Sequence, residues 1–312
     1  MAAMIEVQDL KKSYKETEAV KGISFEVEEG EIFGFLGPNG AGKSTTINMI
    51  CTMLKPTSGS IVINGFNANK EKNDVRASIG LIFQENTLDE KLTANENLKL
   101  HCRFYNVPKN DRERRIQEVL HIVDLNDVRY KKVETFSGGM QRRLEIARGL
   151  LHYPRVLFLD EPTVGLDPQT RAHLWEYILK LKKEQGITMF LTTHYLDEAE
   201  ISDRIAIMDQ GGIIAVDSPE ELKRQLGGDI IELSTSDNAQ AEAEVQALLG
   251  ESDEFTINDE LIRLQVENSD AFISELIEAL SVTITKLNIR KPTLNDVFLA
   301  FTGRDIGEAT GT

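Results

Sequence analysis

The sequence predicts an α/β fold followed by a smaller α+β unit, and three observations lead to this prediction. Short apolar runs alternate with longer helix-like stretches over most of the chain, which is typical of a buried parallel sheet covered by helices. The C-terminal part instead carries a repeated strand-helix-strand pattern. Acidic residues are also concentrated there, so that the two parts differ in charge as well as in pattern.

The charge distribution predicts a domain boundary near residue 226. The 312 residues carry 35 Lys and Arg against 51 Asp and Glu, a formal net charge of −16. Residues 226–312 hold 17 acidic and 5 basic side chains, so that −12 of this charge lies there. Two consecutive glycines, Gly227 and Gly228, mark a break in the chain at this point. We therefore expect one domain over residues 1–225 and a C-terminal accessory or regulatory domain over residues 226–312.

Composition argues against several classes of protein. A strongly acidic chain is repelled by a phosphate backbone, so that no nucleic-acid partner is expected. Cys51 and Cys102 stand in no CxxC or Cys/His spacing, which indicates neither a disulfide framework nor a zinc site. No window approaches about 18 consecutive apolar residues, and the N-terminus lacks a basic region followed by an apolar stretch. We expect a chain that is neither exported nor membrane-spanning by itself.

The strands are predicted from their hydrophobic patterns. Residues 5–10 and 23–27 alternate apolar with polar side chains, the pattern of half-buried antiparallel strands. Later runs are apolar throughout and predict buried parallel strands; they cover residues 32–36, 79–83, 156–159 and 188–191. Between residues 231 and 289 the order strand-helix-strand occurs twice, which predicts a ferredoxin-like α+β domain.

The segment from residue 37 to residue 45 predicts a phosphate-binding loop. It fits GxxxxGK[ST], follows an apolar run and precedes a helix-like stretch, which is the context that this motif requires. Its residues are Gly37, Pro38, Asn39, Gly40, Ala41, Gly42, Lys43, Ser44 and Thr45. Glycines let successive N–H groups point inward, and the helix N-terminus adds positive potential there. We expect Lys43 to bridge β- and γ-phosphates and the Ser44 hydroxyl to bind Mg²⁺.

A pair of carboxylates follows another apolar run. Asp160 and Glu161 end that run, and Pro162 stops the predicted strand. Residues at the carboxyl end of a strand lie where open α/β sheets bind their ligands. We expect Asp160 to hold Mg²⁺ through water and Glu161 to act as general base on the attacking water. Taken alone the pair is weak evidence, because any strand that runs into an acidic turn has the same pattern.

A second phosphate-binding helix start is predicted at Ser137, Gly138 and Gly139. These residues lead directly into a helix-like stretch, so that the Ser hydroxyl and the glycine N–H groups can contact a γ-phosphate. The first loop already cradles one nucleotide. Two phosphate-binding helix starts in one chain are understandable if each contacts a different nucleotide in a dimer.

Seven motifs in this order resemble those of the ATP-binding subunit of an ATP-binding cassette (ABC) transporter, over about residues 4 to 220. They are Tyr14, the loop at residues 37–45, Gln84, the signature at Ser137, Asp160-Glu161, Gly165-Leu166-Asp167 and His194. The resemblance implies an ATPase that uses ATP and Mg²⁺, in a P-loop NTPase fold with an antiparallel β subdomain and a helical insert at about residues 86–150. Within that insert, Thr93 and Glu96 have the spacing of a capping box at a helix start.

The resemblance also implies roles for individual residues. Tyr14 is expected to stack on adenine, and Gln84 to sense both Mg²⁺ and the transporter. Asp167 is expected to organise the dimer seam, and His194 to contact the γ-phosphate. The implied metal-binding set is Ser44, Gln84 and Asp160.

Two departures from the commonest pattern narrow the subgroup. The signature is Phe136-Ser-Gly-Gly-Met140 in place of Leu-Ser-Gly-Gly-Gln, with Gln141 one position late. Together with the tail motif Lys291-Pro-Thr-Leu-Asn-Asp-Val-Phe-Leu299, it resembles the drug-resistance and type-2 exporter group that includes daunorubicin-resistance ATPases. This resemblance implies separate membrane-spanning permease subunits that dock on the helical insert. It places the chain on the cytoplasmic face of the cell membrane, as a homodimer or paired with a second ATPase subunit.

Three functions stay open at this stage. The leading interpretation is an ATPase that powers an exporter of drugs or other amphipathic, lipid-like compounds. An importer ATPase differs only in the signature variant and the tail. A soluble ABC ATPase that acts on nucleic acid or ribosomes is disfavoured by the acidic charge, the single cassette and the lack of a long coiled-coil insertion.

Overall fold

The protein is described from a computed structural model that covers residues 3–15, 17–249, 254–257, 261–267 and 269–303. The strands are β1 (Ala3–Tyr14), β2 (Thr17–Glu28), β3 (Ile32–Leu36), β4 (Ser58–Ile63), β5 (Phe66–Asn67), β6 (Ile79–Ile82), β7 (Val156–Asp160), β8 (Thr188–Thr193), β9 (Arg204–Asp209), β10 (Gly212–Asp217), β11 (Asp229–Thr235), β12 (Glu254–Ile257), β13 (Ile262–Val266) and β14 (Ile284–Arg290). The α-helices are α1 (Lys43–Ile50), α2 (Lys72–Ser78), α3 (Ala94–Phe104), α4 (Arg112–Ile122), α5 (Gly138–Gly149), α6 (Pro168–Gln185), α7 (Leu196–Ala199), α8 (Pro219–Leu226), α9 (Asn238–Gln246), α10 (Ser269–Ala279) and α11 (Leu294–Thr302).

The chain divides into two compact units between Asp217 and Ser218. The sequence places the boundary at residue 226, at the end of α8 rather than before it. The difference arises because α8 packs against α11 of the second unit and buries Leu222 completely. Charge and glycine content cannot predict such a contact, because it joins two helices that are distant in the chain. Independent folding of the two units stays a prediction.

The first unit is built on a six-stranded sheet in the order β10-β9-β3-β8-β7-β6. Strands β9, β3, β8, β7 and β6 are parallel, and β10 pairs with β9 in the antiparallel direction. Every residue of β3, β7 and β8 is buried, which explains why these strands are apolar throughout. The predicted parallel sheet is thereby confirmed.

A second, antiparallel sheet in the order β2-β1-β4-β5 covers one face of the parallel sheet. Between the two sheets lies a cluster of phenylalanines in which Phe25 contacts Phe33, Phe35 and Phe190, with ring centroids 5.0 to 5.9 Å apart. On the opposite face, residues such as Leu159 join a separate core with α3, α4, α5 and α6. Because successive side chains along a strand point to opposite faces, the parallel sheet contributes side chains to both of these cores.

The helical insert begins with α3, and its start follows the predicted capping box. The Thr93 hydroxyl accepts a hydrogen bond from the Glu96 amide at 3.2 Å, and the Glu96 carboxylate accepts one from the Thr93 amide at 2.8 Å. Both N–H groups would otherwise lack an intrahelical partner. The local sequence therefore fixes where this helix starts.

The second unit has the predicted ferredoxin-like arrangement. Its sheet has the order β12-β13-β11-β14, and all neighbouring strands are antiparallel. Ile231, Leu233 and Leu264 point from the sheet into a core that is covered by α9 and α10. The helices α8 and α11 are added to the strand-helix-strand repeat at its two ends.

The tail motif Lys291 to Leu299 forms the start of α11, and its central residue is Asp296. The Thr293 amide donates to Asp296 Oδ2 at 2.7 Å as part of a capping box. Arg290 binds the same carboxylate with two nitrogens, at 2.6 and 3.1 Å, and Arg263 forms a further ion pair with it. The motif that indicated the subgroup thus joins β13, β14 and α11 through one buried carboxylate.

We expect Asp296→Asn to destabilise the second unit. Burial acts to raise the pKa of Asp296, but hydrogen bonds from Arg290 and Thr293 bring it down to about 2. Relative to the usual value of 3.8, this shift corresponds to about 2 kcal/mol of stability at neutral pH. Because the pKa is depressed on folding, this stability is present above about pH 4 and is lost as the pH falls towards 2.

The measurement is hydrogen exchange of the second unit in the full chain, for wild type and variant, from pH 7 downwards. The difference in opening free energy should stay constant to about pH 5 and shrink below about pH 4. Asp237→Asn serves as control, because Asp237 caps α9 through the Gln240 amide and Asn caps a helix equally well. A difference that grows on acidification would contradict the prediction.

Candidate functional site

The loop that the sequence predicts to bind phosphate lies between β3 and α1, and close backbone contacts require glycine at two of its positions. A Cβ on Gly37 would lie 2.1 Å from the Met208 carbonyl oxygen. Gly42, the N-cap of α1, has φ 105°, and a Cβ there would lie 2.5 Å from the Ala19 carbonyl oxygen. The first turn of α1 lines a cavity of about 360 Å³. Because this turn contains no acidic residue, the positive end of the helix dipole there is not neutralised by a neighbouring side chain of the same helix.

Lys43 points its ammonium group back across this loop. Its Nζ donates to the carbonyls of Gly37 at 2.7 Å and Pro38 at 3.1 Å, and it lies 3.8 Å from Glu161 Oε1. Burial lowers the pKa of Lys43, while the nearby Glu161 and Asp160 carboxylates act to raise it. The side chain is only 4% exposed, so that its charge lies in a site of low solvent access.

Three other predicted site residues, Lys43, Gln84 and His194, meet at the carboxylate of Glu161. Gln84 donates through Nε2 to Glu161 Oε2 at 3.2 Å, and His194 Nδ1 lies 3.4 Å from Glu161 Oε1. Contact with His194, followed by the charge of Lys43, lowers the pKa of Glu161 against the opposing effect of burial. The carboxylate is therefore ionised at neutral pH and can accept a proton.

Asp160 lies behind Glu161 and is held by Thr192 of the neighbouring strand β8. The Thr192 hydroxyl donates to Asp160 Oδ1 at 2.5 Å and also accepts from the Glu161 amide at 3.1 Å. Burial raises the pKa of Asp160, and the bond from Thr192 acts against this. Glu161 itself has φ 45°, a conformation that non-glycine residues rarely adopt. Thr192 therefore holds the carboxylate of Asp160 and the backbone of Glu161 at a strained strand end.

The signature lies beside Asp167 and away from the loop. Ser137 caps α5 by accepting from the Met140 amide at 3.3 Å. Asp167 caps α6 by accepting from the Thr170 amide at 3.0 Å. The hydrogen bond from the Thr170 hydroxyl, followed by the one from the Thr170 amide, lowers the pKa of Asp167. A Cβ on Gly139 would come within 2.3 Å of the Thr170 side chain, so that only glycine permits this approach of α5 to α6. Met140 packs against the helical core.

The predicted site residues thus fall into separate groups. Asn39 to Thr45, Gln84 and Glu161 line the cavity over the loop, whereas Ser137, Gly139 and Thr170 line a different cavity of about 530 Å³. Tyr14 stands at the end of β1, where its ring is 47% exposed and the Lys12 ammonium lies 5.0 Å from the ring centroid.

Three supporting residues were not found by sequence reasoning: Thr192, Arg142 and Glu198. Glu198 is fully buried and accepts hydrogen bonds from the hydroxyls of Thr163 and Thr193, the neighbour of His194. Burial raises its pKa, and the two threonines act against this. No local pattern identifies these side chains, because their partners in other elements are distant in the chain.

Within the described residues no cluster of three His, Cys, Asp or Glu forms a ready metal site. None of the described helices combines the length and the apolar character that a membrane span requires.

Comparison with known proteins gives matches over both units. The ABC transporter family profile matches residues 20–164, and the profile of the C-terminal domain of DrrA1-3-like ATP-binding proteins matches residues 218–302. The linearmycin resistance ATP-binding protein LnrL of Bacillus subtilis is 39% identical, with 97% of this chain and 99% of that protein covered. The daunorubicin resistance ATP-binding protein DrrA3 of Streptomyces coeruleorubidus is 38% identical, with 96% of each chain covered.

A solved structure supports the same assignment for the first unit. A dimeric ATP-binding cassette in a post-hydrolysis state, bound to ADP and Pi, matches with a TM-score of 0.62 and 31% identity. The match covers 69% of this chain and 98% of the cassette. The resemblance that the sequence motifs indicated is confirmed over almost the full length. This chain therefore belongs to the ABC transporter family, as an ATPase of the group that includes the daunorubicin and linearmycin resistance ATP-binding proteins.

Proposed function

We propose that two copies of this chain, or one copy and a second ATPase subunit, sandwich ATP between the loop of one and the signature of the other, and so power an exporter. The separation of the two groups within one chain carries this proposal. Ser137 and Gly139 line a different cavity from Lys43 and Glu161, so that a second subunit is needed to bring a signature to the loop. The dimeric form of the related cassette supports this arrangement.

The residues at the loop fit a magnesium ion that is held together with nucleotide phosphates. Mg²⁺ prefers oxygen ligands and is usually bound by one or two carboxylates, waters and substrate phosphates. The Ser44 hydroxyl, the Asp160 carboxylate and the Gln84 amide oxygen supply such donors, and they leave room for phosphate oxygens and water as further ligands. When bound, the ion would neutralise charge that develops on the phosphates.

Hydrolysis is assigned to Glu161. Its ionised carboxylate accepts a proton from water, and the water oxygen forms the new bond to the γ-phosphorus. The bond between that phosphorus and the β,γ-bridging oxygen breaks, which leaves ADP and phosphate. We assign Gln84 and His194 to orienting the water and contacting the γ-phosphate, because both lie within 3.4 Å of the Glu161 carboxylate. Tyr14 is assigned to adenine and Asp167 to the dimer seam.

The helical insert is proposed as the docking surface for membrane-spanning subunits at the cytoplasmic face. Along α3 and just after it, three large apolar side chains are exposed, namely Leu100, Phe104 and Tyr105. Phe104 has 67% of its surface exposed, and a group of exposed apolar side chains of this kind is typical of protein–protein interaction sites. The direction of transport is proposed from the relatives, since resistance to linearmycin or daunorubicin follows when a compound is removed from the cell. The cargo class is a drug-like or other amphipathic, lipid-like compound.

We expect the wild-type chain to purify from its native membranes with a multi-spanning protein, and Phe104→Asp to lose this partner. A charge in an apolar contact is desolvated without compensation, so that retention should fall by about 10-fold or more. Leu179→Asp is the matched control, because Leu179 is exposed to 42% on a different helix. ATP binding should be equal in all three proteins. Equal retention of the partner by Phe104→Asp and wild type would contradict this docking surface.

A further inference from the structure

We propose that Arg142, held by Glu145, is a positioning residue for ATP hydrolysis: it ties the signature helix α5 to the backbone on both sides of the hydrolytic site. The inference rests on the proposed roles of Gln84 and Glu161. Neither Arg142 nor Glu145 contacts the cavity over the loop, so that they act through other residues.

The contacts of Arg142 reach two separate strand ends. Its Nε donates to the Pro162 carbonyl at 2.6 Å and its Nη2 to the Asp160 carbonyl at 3.4 Å, so that one guanidinium holds the residues on either side of Glu161. Its Nη1 donates to the Phe83 carbonyl, directly before Gln84. The planar fork of arginine allows these bonds from one side chain.

Glu145 keeps this guanidinium in place. One oxygen, Oε2, accepts from Arg142 Nη1 at 2.8 Å. The other oxygen, Oε1, accepts from the Thr87 amide at 3.0 Å and the Thr87 hydroxyl at 3.1 Å, and Arg148 forms a further bond to that hydroxyl. Glu145 and Arg142 are 2% and 7% exposed, so that each charge depends on the other for compensation.

The loop after β6 is therefore held at both its ends by α5. Phe83, at its start, binds Arg142, and Thr87 binds Glu145, with a third link from Asn86 Nδ2 to Gln141 Oε1 at 2.7 Å. Gln84 lies between these anchors and is itself exposed. Since Glu161 is anchored by the same guanidinium, the 3.2 Å contact between Gln84 and Glu161 is set by the position of α5.

This arrangement gives the signature helix a second task. Its first residues form the signature that faces the partner nucleotide in the proposed dimer. Its next two turns, through Arg142, Glu145 and Arg148, hold the hydrolytic residues of its own chain. A shift of α5 would misplace Gln84 and Glu161 together, and misplacement by about 1 Å can cost about 100-fold in rate.

The test uses the full chain with its membrane partner, when dimerisation requires it. Arg142→Lys keeps the charge that Glu145 needs and removes the planar fork. We expect kcat to fall by about 10-fold or more with KM for ATP changed by less than about 3-fold, because the loop around Lys43 is untouched. The Mg²⁺ concentration for half-maximal turnover should rise, since Gln84 is displaced. Glu184→Gln, at an exposed ion pair with Lys180, is the control and should match wild type.

A double variant separates positioning from general damage. In a Gln84→Ala background, Arg142→Lys should lower kcat by a smaller factor than in wild type, because part of its effect passes through Gln84. If the loss of kcat in the double variant equals the product of the losses in the two single variants, the proposal is wrong. It is also wrong if Arg142→Lys has the kcat of the wild type. If Arg142→Lys does not fold, Thr87→Val removes a single hydroxyl from the network and should lower kcat in a protein that is still folded, as checked by its melting temperature. An unchanged kcat in that variant would also overturn the proposal. A wild-type protein without ATP turnover would instead count against the proposed function.

Discussion

Glu161→Gln should lower ATP turnover by about 100-fold or more while ATP binding is retained, because general-base catalysis contributes this much and an amide cannot take up the proton. The amide keeps the size of the carboxylate and can still contact Gln84 and His194, which lie 3.2 and 3.4 Å from it. The loop residues around Lys43 are unchanged. The loss should therefore appear in kcat rather than in nucleotide affinity.

The measurement compares single-turnover hydrolysis and equilibrium ATP binding in wild type and variant. Glu184→Gln makes the same chemical change at an exposed position and should leave both quantities unaltered. Comparable turnover in Glu161→Gln and wild type would remove this residue from the mechanism. A large loss of ATP affinity would instead indicate that the carboxylate mainly supports the loop.

Mixing two inactive variants should restore ATP turnover if the site is shared between subunits. Lys43→Ala removes a charge that faces the phosphates, and Ser137→Arg places a bulky cation at the start of α5. As homodimers, both proteins have two spoiled sites and are expected to be nearly inactive. In a mixed dimer, one site combines both defects and the other combines an intact Lys43 with an intact Ser137. With random pairing, roughly a quarter of all sites are then intact.

The experiment is carried out with the membrane partner present when dimerisation requires it, and mixed dimers are first shown by two different affinity tags. A mixture of Lys43→Ala with wild type is the reference, because it shows how far one defective subunit lowers the ATP turnover of a dimer. If each site were built within one chain, every site in the mixture would still contain one defect. Absence of recovery in demonstrated mixed dimers would exclude the shared site.

Short-range motifs were sufficient to name the candidate site residues, because the chemistry of these motifs is local. The cap formed by Ser137 and the capping box at Thr93 involve partners within a few positions in the chain, and the loop at residues 37–45 is a continuous motif. Such contacts are fixed by residue type and spacing alone. Hydrophobic patterns along the chain are local in the same way: alternation predicted the antiparallel strands, continuous apolar runs predicted the parallel ones, and the repeated strand-helix-strand order predicted the ferredoxin-like domain.

The sequence by itself therefore determined the fold class, and it predicted the loop at residues 37–45 and the two carboxylates at the end of β7 as site residues. Only the tertiary structure decided what supports them. Thr192 reaches Asp160 because β8 pairs with β7, and Arg142 reaches Phe83 and Pro162 because α5 packs beneath two strand ends that lie far apart in the chain. The boundary at residue 218 depends in the same way on the packing of α8 against α11. Partners of this kind are chosen by strand order and helix packing, which no pattern of neighbouring residues records.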